Sequence, residues 1–334
     1  TPVLKSGSPK GLVVEPVHVT GRIVLIKKTE NAGIINAGAC RKCLQSISVD
    51  SMIRFAGLVH PGYNIYRRLG LTEGMPVSNQ SAAGRIVADM IQDGFYIDFV
   101  EALVHADAEG YMGRRYALRG LNDVVSGVIQ AGYSYDKVSG RFFENQRERV
   151  TENWGRLKEG DERRMTVLRL DIVGNSVLVR KNSREKINRA YRDLRAIVER
   201  AVTKRLGRLW SWEGDGALGV FMFGTIEQMA VYAGMEILHE LFFYNRIENP
   251  LESPIAVRTA VHIGDVRYSH NPVERLKNET IRQAVALESE AASSDSMAVS
   301  FNLFMSMEGV TDLFTREKSR AGIKFRLYHV GVES

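Results

Sequence analysis

Cysteine is nearly absent. The 334 residues hold two, Cys40 and Cys43, too few for a disulfide framework, so the fold must rest on its own core in a reducing interior. Long apolar runs are missing as well. The longest, 216–224 and 229–244, are too short or are interrupted by Glu236, His239 and Glu240, and neither supplies the roughly 20 residues that a membrane-spanning helix requires. Charge of one sign is also scarce, with 45 Lys+Arg against 39 Asp+Glu and a net charge of +6. This excess lacks the dense basic stripe of a dedicated nucleic-acid binder and suits small phosphorylated anions at least as well. With eleven methionines and no signal-like start, the expectation is a cytoplasmic chain with no nucleic-acid partner and no membrane segment. What the sequence has in quantity is apolar side chains, 44%, which exclude disorder as the dominant state and supply cores for about two domains.

Residues 1–50 alternate β-branched and polar positions, as in Val13–Val19 and Gly21–Ile26, and predict a small β-rich segment. From 51 to 136 the period changes. Ile86, Val87, Met90, Ile91, Phe95, Phe99, Val100 and Leu103 recur at helical spacing, interrupted by Gly94, and predict a small helical bundle with a regulatory or dimerising role. Residues 137–164 are strongly charged, with Arg147-Glu148-Arg149 and a run from Lys158 to Arg164, and predict a linker or surface hairpin. From 165 to 334 strands and helices alternate: strand 165–171, helix 183–204, two strands flanking Gly214-Asp215-Gly216, helix 226–244, strand 255–265, helix 278–292, strand 297–300 and strand 324–330. That βαββαβ order with later additions predicts an α+β, ferredoxin-like antiparallel sheet backed by helices.

Two aspartates stand out, each at the end of an apolar strand. Asp171 closes Val167–Leu170, and Asp215 occupies a tight Gly-Asp-Gly turn 44 residues later. On neighbouring strands both carboxylates would project at one edge of the sheet and could share divalent cations, since Mg²⁺ takes a few hard oxygens and fills its shell with substrate phosphates. The turn Gly174-Asn175-Ser176, leading towards a helix, would offer backbone N–H groups to a triphosphate. Aspartates at strand ends are equally ordinary turn chemistry, and the residues alone leave both readings open. Cys40-Arg41-Lys42-Cys43 has the spacing of a redox pair or half a zinc site, but no second pair of ligands accompanies it.

Residues 165–330 resemble the catalytic domain of a class III nucleotidyl cyclase, the adenylate and guanylate cyclase family. The resemblance rests on Asp171-Ile172-Val173-Gly174 with Ser176, the Gly214-Asp215-Gly216 hairpin, the strand Val257–Asp265, and Ala286-Leu287-Glu288-Ser289 before Met297–Ser300. It implies conversion of a nucleoside triphosphate to its 3′,5′-cyclic monophosphate and pyrophosphate at the interface of a homodimer. It further implies two Mg²⁺ or Mn²⁺ ions held by Asp171, the carbonyl of Ile172 and Asp215, with no covalent protein nucleophile.

The chain departs from the family at three places. The base-reading position four residues before the second aspartate, commonly Lys for adenine and Glu for guanine, is Ser211, which commits to neither base. ATP is the substrate expected from the larger group, with GTP or a pyrimidine triphosphate as alternatives. The Asn and Arg that orient ribose and stabilise the α-phosphate are replaced by Arg282 and Ala286. Arg282 is the residue left to supply a guanidinium, and its shifted position also suits a catalytically silent nucleotide-binding or dimerisation module. Contacts to the terminal phosphate are expected from Arg320 and Lys324, with Lys318 beside them.

Overall fold

The computed structural model describes residues 37–146 and 150–330, and the chain divides into two compact units, 1–131 and 132–334. The strands expected in 1–36 lie outside the described residues.

The first unit is helical: α1 (Ala37–Leu44), α2 (Val49–Val59), α3 (Ile65–Leu69), α4 (Asn79–Gln92), α5 (Tyr96–Ala108) and α6 (Leu121–Gln130). Helix therefore begins at 37, inside the segment expected to be β-rich. Further along, Ser48, Asn64 and Ser78 each cap the helix that follows, α2, α3 and α4, by accepting a backbone N–H on the side chain. Gly94, at φ 76°, takes the left-handed conformation that ends α4 and lets α5 restart on the same core. Ile86, Val87 and Met90 of α4 and Phe99, Val100 and Leu103 of α5 are all buried.

The second unit opens with an antiparallel hairpin, β1 (Tyr133–Asp136) and β2 (Arg141–Glu144). It continues as β3 (Glu162–Ile172), α7 (Asn175–Lys181), α8 (Arg184–Thr203), β4 (Arg208–Glu213), β5 (Gly216–Phe221), α9 (Ile226–Ile247) and β6 (Val257–Arg267). The last part comprises α10 (Pro272–Leu276), α11 (Glu279–Ala291), β7 (Ser296–Ser300), α12 (Phe301–Met305), β8 (Lys318–Arg320) and β9 (Ile323–His329). Seven strands form one sheet in the order β4-β5-β3-β6-β7-β9-β8, antiparallel except for β6 and β7. The class is α+β, and β3, β4, β5 and β6 with α8 and α9 make the βαββαβ core. Helices α8 and α9 cover one face of the sheet, and α11 covers the other.

The described residues of 137–164 are not a solvated linker. Trp154 is completely buried with Phe143, Leu157 and Trp210, and its indole N–H donates to the Leu206 carbonyl at 2.7 Å. The buried Arg208 and Glu144 pair at 3.1 Å, and the same guanidinium donates to the Thr151 carbonyl at 2.6 Å. Glu144 of this segment is thus held in a buried pair over an aromatic core. No helix of the described residues is long and apolar enough to cross a membrane.

Candidate active site

Strand pairing decides where the aspartates sit. Asp171, one residue from the end of β3, lies opposite Gly216 of β5 on one side and Arg258 of β6 on the other. Asp215 forms the two-residue turn between β4 and β5 with Gly214, whose φ of 59° suits glycine. The turn is tied to β3 by the Ile172 N–H, which donates to the Asp215 carbonyl at 3.2 Å. Both aspartates thus stand at the same end of adjacent strands.

A network of charge and hydrogen bonds orients them. Arg258 Nη2 donates to Asp171 Oδ2 at 2.7 Å, and its Nε lies 2.8 Å from Glu288 Oε1 of α11 as an ion pair. Asp171 raises the pKa of Arg258 above its ordinary value. Burial pushes Glu288 up, with Arg258 opposing and the charges of Asp171 and Asp215 adding to the rise. On the other side, Asn175 Nδ2 donates to Asp215 Oδ2 at 2.8 Å, and Asn175 Oδ1 accepts from the Tyr191 hydroxyl of α8. Burial, then the Asp215 charge, raises Tyr191. Each aspartate spends its Oδ2 on these partners.

Residues that share a strand face extend the site. Arg169, two residues before Asp171, lies on the same face, and its Nη1 donates to the Ala217 carbonyl at 3.3 Å. It has room because residue 216 is glycine: a Cβ there would lie 2.8 Å from the Arg169 guanidinium carbon. Ser211 pairs with Leu218, and Leu218 with Arg169, which places Ser211 on that face two strands from Arg169. A β-bulge between Leu209 and Ser211 separates the flanking tryptophans. Trp210 packs into the cluster under α11, and Trp212 packs against the cluster under α8 and α9, so both indoles contribute to cores.

Other expected residues lie elsewhere. Gly174, at φ 66°, starts α7, with Ser176 exposed beside it, while the side chain of Asn175 is committed to Asp215 and Tyr191. Arg282 is exposed and pairs with Glu279, one turn away on its own helix. Lys324 pairs with Glu317 at 3.3 Å, and Arg320 is exposed on β8. The register through Arg258, Ser296 and His329 puts the Asp171 end of the sheet at the finish of β9, whereas Lys324 is near its start. Three strand spacings and several residues of rise separate them, roughly 20 Å. A single chain therefore does not bring Arg320 or Lys324 to the aspartates. Sequence reasoning missed Arg169, Arg258, Glu288 and Tyr191 as site residues; the first was open to discovery from the two-residue period of β3, and Arg258 and Glu288 stood inside the motifs already quoted.

Cys40 and Cys43 are both buried in α1. Burial, then the neighbouring Cys43, pushes the Cys40 thiol up to about 12, and burial pushes Cys43 up to about 11. Both stay protonated at neutral pH and act as apolar packing. Burial likewise lowers His262, with a Gln283 hydrogen bond opposing, so it stays neutral on its core strand.

No protein-family model matches the chain, and no curated protein matches it in sequence. About half of the chain is similar to solved cyclase catalytic domains. The adenylyl cyclase CyaB of P. aeruginosa is 16% identical, with 53% of this chain and 98% of that chain covered at a TM-score of 0.45. The guanylyl cyclase domain of the RhoGC fusion protein of the aquatic fungus Blastocladiella emersonii is 16% identical, covering 51% and 97% at 0.43. An adenylate/guanylate cyclase/hydrolase from Silicibacter pomeroyi is 21% identical, covering 52% and 100% at 0.42.

Proposed function

We propose that residues 132–334 are a nucleotidyl cyclase that forms a 3′,5′-cyclic nucleotide and pyrophosphate from a nucleoside triphosphate, in a homodimer. The observation that carries this reading is the pair Asp171, on β3, and Asp215, in the turn that enters the adjacent β5, each held by one carboxylate oxygen. Their Oδ1 atoms accept no hydrogen bond among the described residues. No trio of His, Cys, Asp and Glu is grouped to hold a metal among those residues, so the donor set is no closed protein cage. It fits Mg²⁺ or Mn²⁺ that completes its shell with water and substrate phosphates. Asp171, Asp215 and the Ile172 carbonyl would hold two such ions, which when bound acidify the ribose 3′-hydroxyl and screen the departing pyrophosphate.

The chain's own residues supply orientation. Arg258 fixes the rotamer of Asp171 and keeps the pair from repelling Glu288, while Tyr191 and Asn175 hold Asp215 towards the end of β3. Arg169 places a guanidinium on the Asp171 face, in a position to balance phosphate charge in place of the residue lost at Ala286. ATP is the proposed substrate, with Ser211 leaving GTP and pyrimidine triphosphates as competitors.

Incubation with Mg²⁺ or Mn²⁺ and each of ATP, GTP, CTP and UTP, followed by mass spectrometry, is expected to yield one cyclic nucleotide. Asp215→Ala is expected to abolish it with the circular dichroism spectrum unchanged; full turnover by that variant would sink the mechanism. A second reading, a silent nucleotide-binding module, is favoured by the exposed pairing of Arg282 with Glu279 and the alanine at 286. It predicts nucleotide binding with no pyrophosphate released under either metal.

A further inference from the structure

The first unit holds an open cavity of about 730 Å³ where the C-terminal end of α1, the start of α2 and the loop 114–119 meet. Four cations line it, Lys42, Arg114, Arg115 and Arg119, and no carboxylate does. None of the four is ion-paired among the described residues, although arginines elsewhere in the chain, such as Arg68 with Asp93 and Arg85 with Asp89, have found acidic partners. Neither Asp107 nor Asp50 is ion-paired with them among the described residues. Asp107 accepts the Leu118 N–H at 2.9 Å, and Asp50 is an exposed residue in the first turn of α2 outside the cavity lining.

The cations are mounted on a fixed frame. A tight turn at Met112 and Gly113, both at positive φ, is closed by backbone hydrogen bonds between Tyr111 and Arg114 at 2.8 and 3.1 Å. Beyond it Tyr116 is buried edge-on against Phe55, with ring centroids 5.0 Å apart. The Arg119 N–H donates to Ser46 Oγ at 3.3 Å, which ties the loop to the α1–α2 connection. Ser48 and Ser51, joined at 3.0 Å, bring hydroxyls and the positive end of α2 to the same wall. Collecting four like charges in one concavity raises their mutual repulsion, and an anion carrying several charges relieves it. The backbone tethers mean that binding orders side chains only, which lowers its entropic cost.

From these observations we infer that the cavity is a binding site for a small polyphosphorylated anion, a free polyphosphate or a nucleoside polyphosphate. Its size matches pockets that enclose small molecules, and the chain as a whole lacks the extended basic stripe that a nucleic-acid strand needs. The inference stands apart from the cyclase reading, because the aspartate site binds phosphates through divalent ions whereas this cavity has its own cations.

Calorimetric titration of the full chain in EDTA separates the two. Inorganic tripolyphosphate, ATP and a duplex oligonucleotide serve as probes, each with the wild-type chain, with Asp215→Ala, and with Arg115→Gln/Arg119→Gln. The expected result is binding of tripolyphosphate that Asp215→Ala leaves unchanged and that the double variant weakens tenfold or more, with a midpoint that weakens as salt rises. Added affinity for ATP over tripolyphosphate would identify the nucleoside form, and equal affinity the free polyphosphate. Absence of binding by the wild-type chain overturns the inference, as does binding that the double variant retains. Binding of the oligonucleotide alone also overturns it. Unchanged thermal unfolding of the double variant, whose two side chains are exposed, confirms that the loss is one of charge.

Discussion

A methyl group at residue 216 would collide with the Arg169 guanidinium carbon at 2.8 Å, so this glycine sets the position of the cation that shares the Asp171 face of β3. Gly216→Ala is expected to displace Arg169 and lower turnover by tenfold or more with little change in stability, because the atoms in the way are the flexible end of that side chain; an unfolding curve beside a rate measurement checks both. Tyr191→Phe removes only the hydroxyl that steadies Asn175, and its effect is expected to fall on turnover with little change in stability. The aspartates were legible because the end of an apolar strand and a Gly-Asp-Gly turn are local patterns. Tyr191 was not, since its role depends on how α8 lies over the turn at Asn175, which no spacing in the sequence encodes. The cysteine spacing suggested chemistry that burial withholds, and native Cys40 and Cys43 are expected to resist thiol reagents until the chain is unfolded.

Among the elements, α8 and α9 show what the amphipathic pattern does and does not reveal. The apolar stripe Ile187, Ala190, Leu194, Val198 and Ala201 is buried as its period requires, and its arginines face water or find acids, as Arg195 does with Glu199 at 2.8 Å. The cross-helix clamp was invisible: Lys204 and Arg205, just past the end of α8, both hold Glu236 of α9. Burial acts to raise the Glu236 pKa, but the two cations outweigh it and leave it below the ordinary carboxylate value. A lowered acid pKa contributes stability that is present above the unfolded value of about 4.3 and is lost as pH falls through the folded one. Glu236→Gln is therefore expected to cost about 1 kcal/mol at pH 7, with the gap to wild type closing below about pH 4 in urea titrations. The bulge in β4 was equally hidden. An unbroken strand would put Trp210 and Trp212 on one face, and the extra residue sends them to two cores.

For the whole molecule, the sequence divided the chain by composition and the structure divides it by packing. The boundary expected at 165 cuts through the core that Trp154, Leu157 and Phe143 share with Trp210 and Phe223. A fragment starting at 132 is expected to be soluble and to unfold cooperatively. One starting at 165 leaves that aromatic surface open and is expected to aggregate or melt at lower temperature, by sedimentation and thermal scanning. Charge runs mislead here because the few apolar residues beside them, Phe143, Trp154 and Leu157, are large and all buried.

The aromatic cluster also makes the protein its own spectroscopic probe. All three tryptophans, Trp154, Trp210 and Trp212, belong to the second unit, and the sequence of the first unit contains none. Tryptophan emission will follow the sheet alone, and a divergence from far-ultraviolet ellipticity during denaturation will time the helical unit separately, with no label attached.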